Sequence, residues 1–211
     1  YYEAMTPDEV EAIKTFVARG GGVVLIGECG YTPPNPELPE AYGIGFDSRC
    51  VFAPWDQSGG LDGDIPVTNI GDGLTPVSDT TFLMNWGQNL WVNGEGLWMA
   101  DTWHDGWEAW RDDDDDGAYD AGEEGVYGVV VGRDTGCGRV TAVADNSFGD
   151  SPISVWSEND DMLRAMLDWA TGGQTCDLSQ KTVLLDESHD NRLTLDRDRA
   201  QQIVDDQGWG E

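Results

Sequence analysis

Lysine is almost missing from this chain, which carries only Lys14 and Lys181, and arginine lifts the basic total to just 11 against 41 acidic residues. The resulting formal net charge of -30 repels nucleic-acid phosphates and an anionic bilayer surface, so neither is expected as a partner. Histidine is equally scarce, with His104 and His189 alone. Zinc pairs and Ser-His-Asp arrangements therefore have little to be built from, and no Gly-rich phosphate loop is present. No apolar run approaches the ~20 residues of a membrane span, and no basic-then-apolar leader opens the chain. The sequence also lacks an initiating Met, beginning at Tyr1-Tyr2-Glu3, which suggests a processed product or a fragment.

What remains is enough to fold. The chain has 211 residues with 39% hydrophobic content, sufficient for a core. A charge of -30 destabilises a compact state unless cations bind or screen it, so divalent ions or high salt belong in the working environment. The 10 tryptophans and 4 cysteines point to a secreted or cell-surface protein, with the cytoplasm of a halophile as the alternative.

Along the chain, Thr6-Pro7-Asp8-Glu9 predicts a capped helix start, and Val10, Ile13, Phe16 and Val17 follow at helical spacing. Gly20-Gly21-Gly22 ends that helix, and Val23 to Ile26 reads as a strand buried on both faces. From Tyr31 to about Trp98, Pro, Gly, Asp and Asn break the chain into excursions and short strands. Val126 to Val131 and Gly138 to Ala144 predict a hairpin around Arg133-Asp134-Thr135-Gly136. A second helix is expected over Asn159 to Ala170, then a linker at 174 to 181, a strand at Thr182 to Leu185 and a helix at Asp196 to Asp206.

The segment Asp112 to Glu123 carries the sharpest motif. Asp112, Asp114, Asp116, Gly117, Asp120 and Glu123 fall on positions one, three, five, six, nine and twelve of the EF-hand pattern, and position seven would offer the Ala118 carbonyl. Calcium chemistry requires this set: hard oxygens converge on a large cation, glycine permits the sharp turn, and the last glutamate chelates with two oxygens. Starting the register at Asp113 would lose both the glycine and the glutamate. The competing reading is a solvated charge run, the usual nature of like-charge blocks. No helical pattern flanks the loop, so the motif implies a structural ion, Ca2+, and no sensor.

Three blocks, Gly20 to Gly27, Gly136 to Phe148 and Asn159 to Ala170, resemble non-catalytic surface members of the class I glutamine amidotransferase-like superfamily. That resemblance implies an α/β fold: a flavodoxin-like, mostly parallel sheet flanked by helices, with a Trp/Asp-rich irregular insertion and a β-hairpin. It divides the chain into a domain over 1 to 172, with the calcium loop inserted at about 99 to 125, and a strand-helix unit over 173 to 211. The family's opening strand, ending in Asp-Glu and then His and Asn, stands at the end here as Leu185 to Asn191. Residues 174 to 211 would then start a second domain, complete the same sheet, or complete a neighbouring copy's sheet and so self-assemble.

In the catalytic relatives a Gly-x-Cys-x-Gly elbow holds the nucleophile, and Cys29 lies near that place with its second glycine displaced. This sets out an alternative amidase or hydrolase built on Cys29, His104 and Glu108. The competing expectation is two disulfides, Cys29 with Cys50 and Cys137 with Cys176, among three possible connectivities. His189, within Asp186 to Asp190, reads either as a polar ligand cluster at a strand end or as part of a helix cap. Trp86, Trp91, Trp98, Trp103, Trp107 and Trp110 crowd the stretch before the acidic loop. Buried, they are the core of an insertion; exposed, they form a glycan-stacking or protein-contact surface, a third reading as a calcium-dependent carbohydrate-binding module. The leading expectation is a calcium-stabilised, non-catalytic extracellular structural or interaction module.

Overall fold

The computed structural model describes residues 4–30, 35–53, 64–67, 69–71, 73–74, 82–85, 87–102, 108–114, 116, 118–146, 159–172 and 183–186. The expected helix at Asp196 to Asp206 lies outside them, as do His104, His189 and Gly117. Helix α1 (Pro7–Ala18) forms as its sequence dictates: the Thr6 hydroxyl accepts from the Glu9 amide while the Glu9 carboxylate takes the Thr6 amide at 2.7 Å. Gly20, at φ 106, makes the left-handed exit. Strand β1 (Gly22–Ile26) is buried along its whole length.

The start of β1 runs between two helices. Gly21 lies against Phe16 of α1, while a Cβ on Gly22 would sit 2.6 Å from the Ala170 carbonyl oxygen of α3 (Asn159–Thr171). Helix α3 buries Met162, Leu163, Met166 and Trp169, the face anticipated from its spacing. A short helix, α2 (Glu37–Glu40), leads into β2 (Ile44–Phe52). Next come β3 (Asp64–Val67), β4 (Asn69–Ile70), β5 (Phe82–Asn85), β6 (Gln88–Val92), β7 (Leu97–Asp101) and β8 (Ala109–Arg111). The last strands are β9 (Glu124–Gly125), β10 (Gly128–Asp134), β11 (Arg139–Val143) and β12 (Val183–Asp186).

The main sheet runs β12-β1-β11-β10-β6-β2-β8-β9, with β7 joining β10 to β4, while β3 and β5 form a separate ribbon. This corrects the expected flavodoxin-like, mostly parallel arrangement. Among the described residues only β1 pairs in parallel, with β11 and β12; every other pairing is antiparallel, and strands far outnumber helices. The physical reason lies in the connections. Parallel neighbours need a crossover of roughly a dozen residues or more, whereas β10 and β11 are joined through Thr135 to Gly138 and can only fold back. The hairpin forms with its turn shifted toward the second strand: Arg133 and Asp134, expected in the turn, pair with Val140 and Arg139 within the ladder, Val131 lies opposite Ala142, and Gly136 stands at φ 88. β12 joins this chain's own sheet, Gly22 opposite Val183 and Leu25 opposite Asp186. No helix among the described residues is long and apolar enough to cross a membrane.

Candidate metal centre

The acidic loop is the connection between β8 and β9, two short strands that pair Ala109 with Gly125 and Trp110 with Glu124. Strands and not helices therefore flank it. Its base is closed by the Arg111 amide, which donates to the Glu123 carbonyl at 3.1 Å. Within the loop, one carboxylate oxygen each of Asp112, Asp114 and Asp116 lies within 4.8 Å of the others. Asp112 is buried, and Asp114 and Asp116 are exposed.

Backbone amides shape this convergence. The Asp116 amide donates to Asp112 Oδ1 at 3.2 Å, and the Ala118 amide donates to Asp116 Oδ1 at 2.8 Å. Glu123, only 6% exposed, crosses the loop: Oε1 accepts from the Asp113 amide at 2.7 Å and Oε2 from the Asp120 amide at 2.8 Å. Glu123 and Asp120 stand outside the three-carboxylate group, yet their charges reach it. Partial desolvation, although the residue is exposed, raises the Asp114 carboxyl above its ordinary value. The charges of Asp116, Asp120 and Glu123 act in the same direction, and a backbone hydrogen bond involving Asp116 opposes them.

Asp113 is turned to another task. Its Oδ1 accepts from Arg111 Nε at 2.5 Å and from Arg49 Nη1 at 3.0 Å, and both arginines also pair with Asp47, at 2.9 and 2.6 Å. Burial alone would raise the Asp47 carboxyl, but its hydrogen bonds with Arg49 and the charges of Arg49 and Arg111 bring it below the usual carboxylate range. The hydrogen bond from Arg111 likewise lowers Asp113. This arrangement holds Asp113 outside the group of Asp112, Asp114 and Asp116.

Trp110 roots the loop in the sheet. It is buried, stacks on Phe52 with ring centroids 4.5 Å apart, and donates its indole N–H to the Ala53 carbonyl at 3.1 Å. Tyr119 meets it edge-on at 6.0 Å, and Tyr127 donates its hydroxyl to the Glu123 carbonyl. Burial pushes the Tyr127 phenol up to about 12, so it remains a donor at neutral pH. Asp47, Arg49, Arg111, Trp110 and Tyr127 were not singled out as parts of the site from sequence. The one available signal was Arg111 itself, a scarce cation directly abutting the aspartate run.

Cys29 is bonded to Cys50, as expected, and Cys137 is also disulfide-bonded; its expected partner Cys176 lies outside the described residues. A disulfide sulfur is no nucleophile, so the alternative set of Cys29, His104 and Glu108 loses its thiolate in this oxidised chain. Trp91 and Trp98 are exposed at 40% and 46%, in contrast to Trp110. Trp86, Trp103 and Trp107 lie outside the described residues.

Among solved structures, the chain is similar to one described as "mmIFT52 N-terminal domain", with a TM-score of 0.61, 16% identity, and coverage of 82% of this chain and 74% of that one. The likeness is one of fold. It overturns the resemblance to the class I glutamine amidotransferase-like superfamily, whose three short blocks matched local glycine turns and strand ends and not the pairing of the sheet. No family model matches the chain, and no curated protein matches it.

Proposed function

We propose that this chain is a calcium-stabilised, non-catalytic structural or interaction module, working in an extracellular or surface setting where disulfides form. The observation that carries this reading is the convergence of the Asp112, Asp114 and Asp116 carboxylates within 4.8 Å, on a loop whose terminal glutamate already spans it. Each Glu123 oxygen accepts one amide and keeps a further lone pair, so the carboxylate can hold the loop and still chelate. Asp112, Asp114, Asp116, Asp120, Glu123 and the Ala118 carbonyl form the proposed ligand set. The short β8–β9 ladder favours a structural clamp over a switch, because no helix pair is available to open.

A protein partner is part of the proposal, a second copy of this chain included. The exposed Trp91 and Trp98 favour a second reading in which the module contacts a glycan. A polysaccharide pull-down repeated with Trp91→Ala and Trp98→Ala tests that reading, and retention unaffected by both substitutions removes it.

The calcium reading is tested by adding terbium, which takes calcium's place among oxygen ligands and is sensitised by nearby aromatic rings such as Tyr119 and Trp110. Saturable emission that calcium displaces, and that is lost in Glu123→Gln, is expected. Emission that is absent or insensitive to calcium overturns it.

A further inference from the structure

Strand β2 changes partners at an irregularity. It pairs with β6 up to Asp47 and again at Cys50, with Ser48 and Arg49 left between, and from Val51 onward it pairs with β8. Two separate parts of the chain are held at this bulge. From one side comes the segment that leaves β1. Cys29 is bonded to Cys50, and the Gly30 amide donates to the Ser48 carbonyl at 2.5 Å. With its amide oriented to suit both neighbours, the Gln88 side chain bridges the Glu28 amide and the Asp47 carbonyl, at 2.7 Å each.

From the other side comes the acidic loop. The Asp112 amide donates to the Cys50 carbonyl at 3.3 Å, and Arg49 reaches Asp113 at 3.0 Å. Cys50 thus belongs to both sets, its sulfur holding the segment after β1 and its carbonyl holding the first residue of the loop. Cys29 is buried and Cys50 partly exposed, so Cys50 is the half that a reductant can approach.

We propose that the Cys29–Cys50 disulfide is a redox latch for the acidic loop, whose reduction frees the β2 bulge and loosens the seat of residues 112 to 123. A dithiol supplies the two electrons. Its thiolate attacks one sulfur, the S–S bond breaks, and a mixed disulfide forms. The second reductant thiolate then displaces the protein sulfur, leaving two cysteine thiols and an oxidised cyclic reductant. The remainder of the sheet is held by ladders away from the bulge, such as β1 with β11 and β10 with β11, so the loosening is local. The latch depends on the calcium reading only for what it regulates, namely the geometry of the ligand set.

The test is hydrogen exchange without calcium, at the loop amides of Asp113, Asp116, Ala118 and Asp120 and at reference amides in β1 and β11. The oxidised protein is compared with dithiothreitol-treated protein and with a Cys29→Ser/Cys50→Ser double variant, which leaves the disulfide of Cys137 in place. Exchange in the loop should be faster by about tenfold in both reduced states, the scale of one or two lost hydrogen bonds, with the reference amides unchanged. An unchanged loop overturns the latch, and so does equal acceleration of the reference amides, which would mean plain global destabilisation. Failure of the calcium reading shows separately, as a terbium null in the oxidised protein.

Discussion

Glu123 is the residue on which the acidic loop turns. Its buried carboxylate takes two backbone amides, so Glu123→Gln places an amide group against N–H donors that need acceptors. The substitution should destabilise the calcium-free protein by about 1–3 kcal/mol and also remove most of its stabilisation by calcium, both readable from melts with calcium and with chelator. A variant with an unchanged calcium response would sink the assignment of Glu123 as a ligand. Trp110 makes the comparable packing contribution: Trp110→Ala removes a buried indole and its hydrogen bond to Ala53, an expected loss of about 3–5 kcal/mol in urea unfolding. Asp47 brings pH dependence. Its folded pKa lies below the ordinary value, so its contribution is complete above the unfolded pKa of ~4 and disappears as pH falls through the lower folded value. Asp47→Asn should therefore lower stability at neutral pH and flatten the acid limb below about pH 4 in a melting series, whereas an unaltered limb would show that other carboxylates set it.

At the scale of elements, local chemistry was legible wherever a few adjacent residues settle the conformation. The α1 cap is one case: Thr6→Ala removes the hydroxyl that accepts from the Glu9 amide, leaving the backbone half of the box, and should lower stability by about 1 kcal/mol in denaturant melts. The helix exit at Gly20, the buried strand β1 and the β10–β11 hairpin were legible for the same reason, since glycine at positive φ and continuous apolar runs act within a few residues. The partners of the strands were not. Val23 to Ile26 reads identically whether its sheet continues in parallel or turns antiparallel beyond β11, and the turn to antiparallel lay in the short connection of β10 to β11. The bulge in β2 left no sequence mark either. Ser48 and Arg49 are ordinary strand residues, and the irregularity falls where β2 passes from pairing with β6 to pairing with β8.

At the scale of the whole molecule, the charge of -30 decides how the protein responds to its medium. If the proposed site binds calcium, the ion at 100 times its Kd would stabilise by about 2.7 kcal/mol, a large part of a domain's net stability. Monovalent salt screens repulsion without occupying the loop. Melts in chelator with rising KCl should accordingly recover only part of the calcium effect; full recovery by KCl alone would favour the halophile setting over the structural ion. The C-terminal piece acts at the same scale. Because β12 covers one side of β1, deleting 174 to 211 should expose the apolar edge Gly22 to Leu25, lower the melting temperature and promote association in light scattering. If the full chain and the truncated chain both run as monomers, self-assembly through this segment is ruled out.

The reach of local chemistry marks the division between the two levels of structure. Residue order alone was enough to place the α1 cap, the glycine turns and the hairpin, because spacing and side-chain type control each within a short stretch of chain, whereas it offered Cys29–Cys50 only as one of three possible pairings. The mixed sheet, the burial of Trp110 and the pairing of Asp113 with Arg49 and Arg111 needed the folded chain. Arg49 and Asp113 are far apart in sequence, and only antiparallel pairing of β2 with β8 carries them to one place. Such contacts depend on which strands become neighbours, a collective outcome of closing many loops at once that no local pattern encodes.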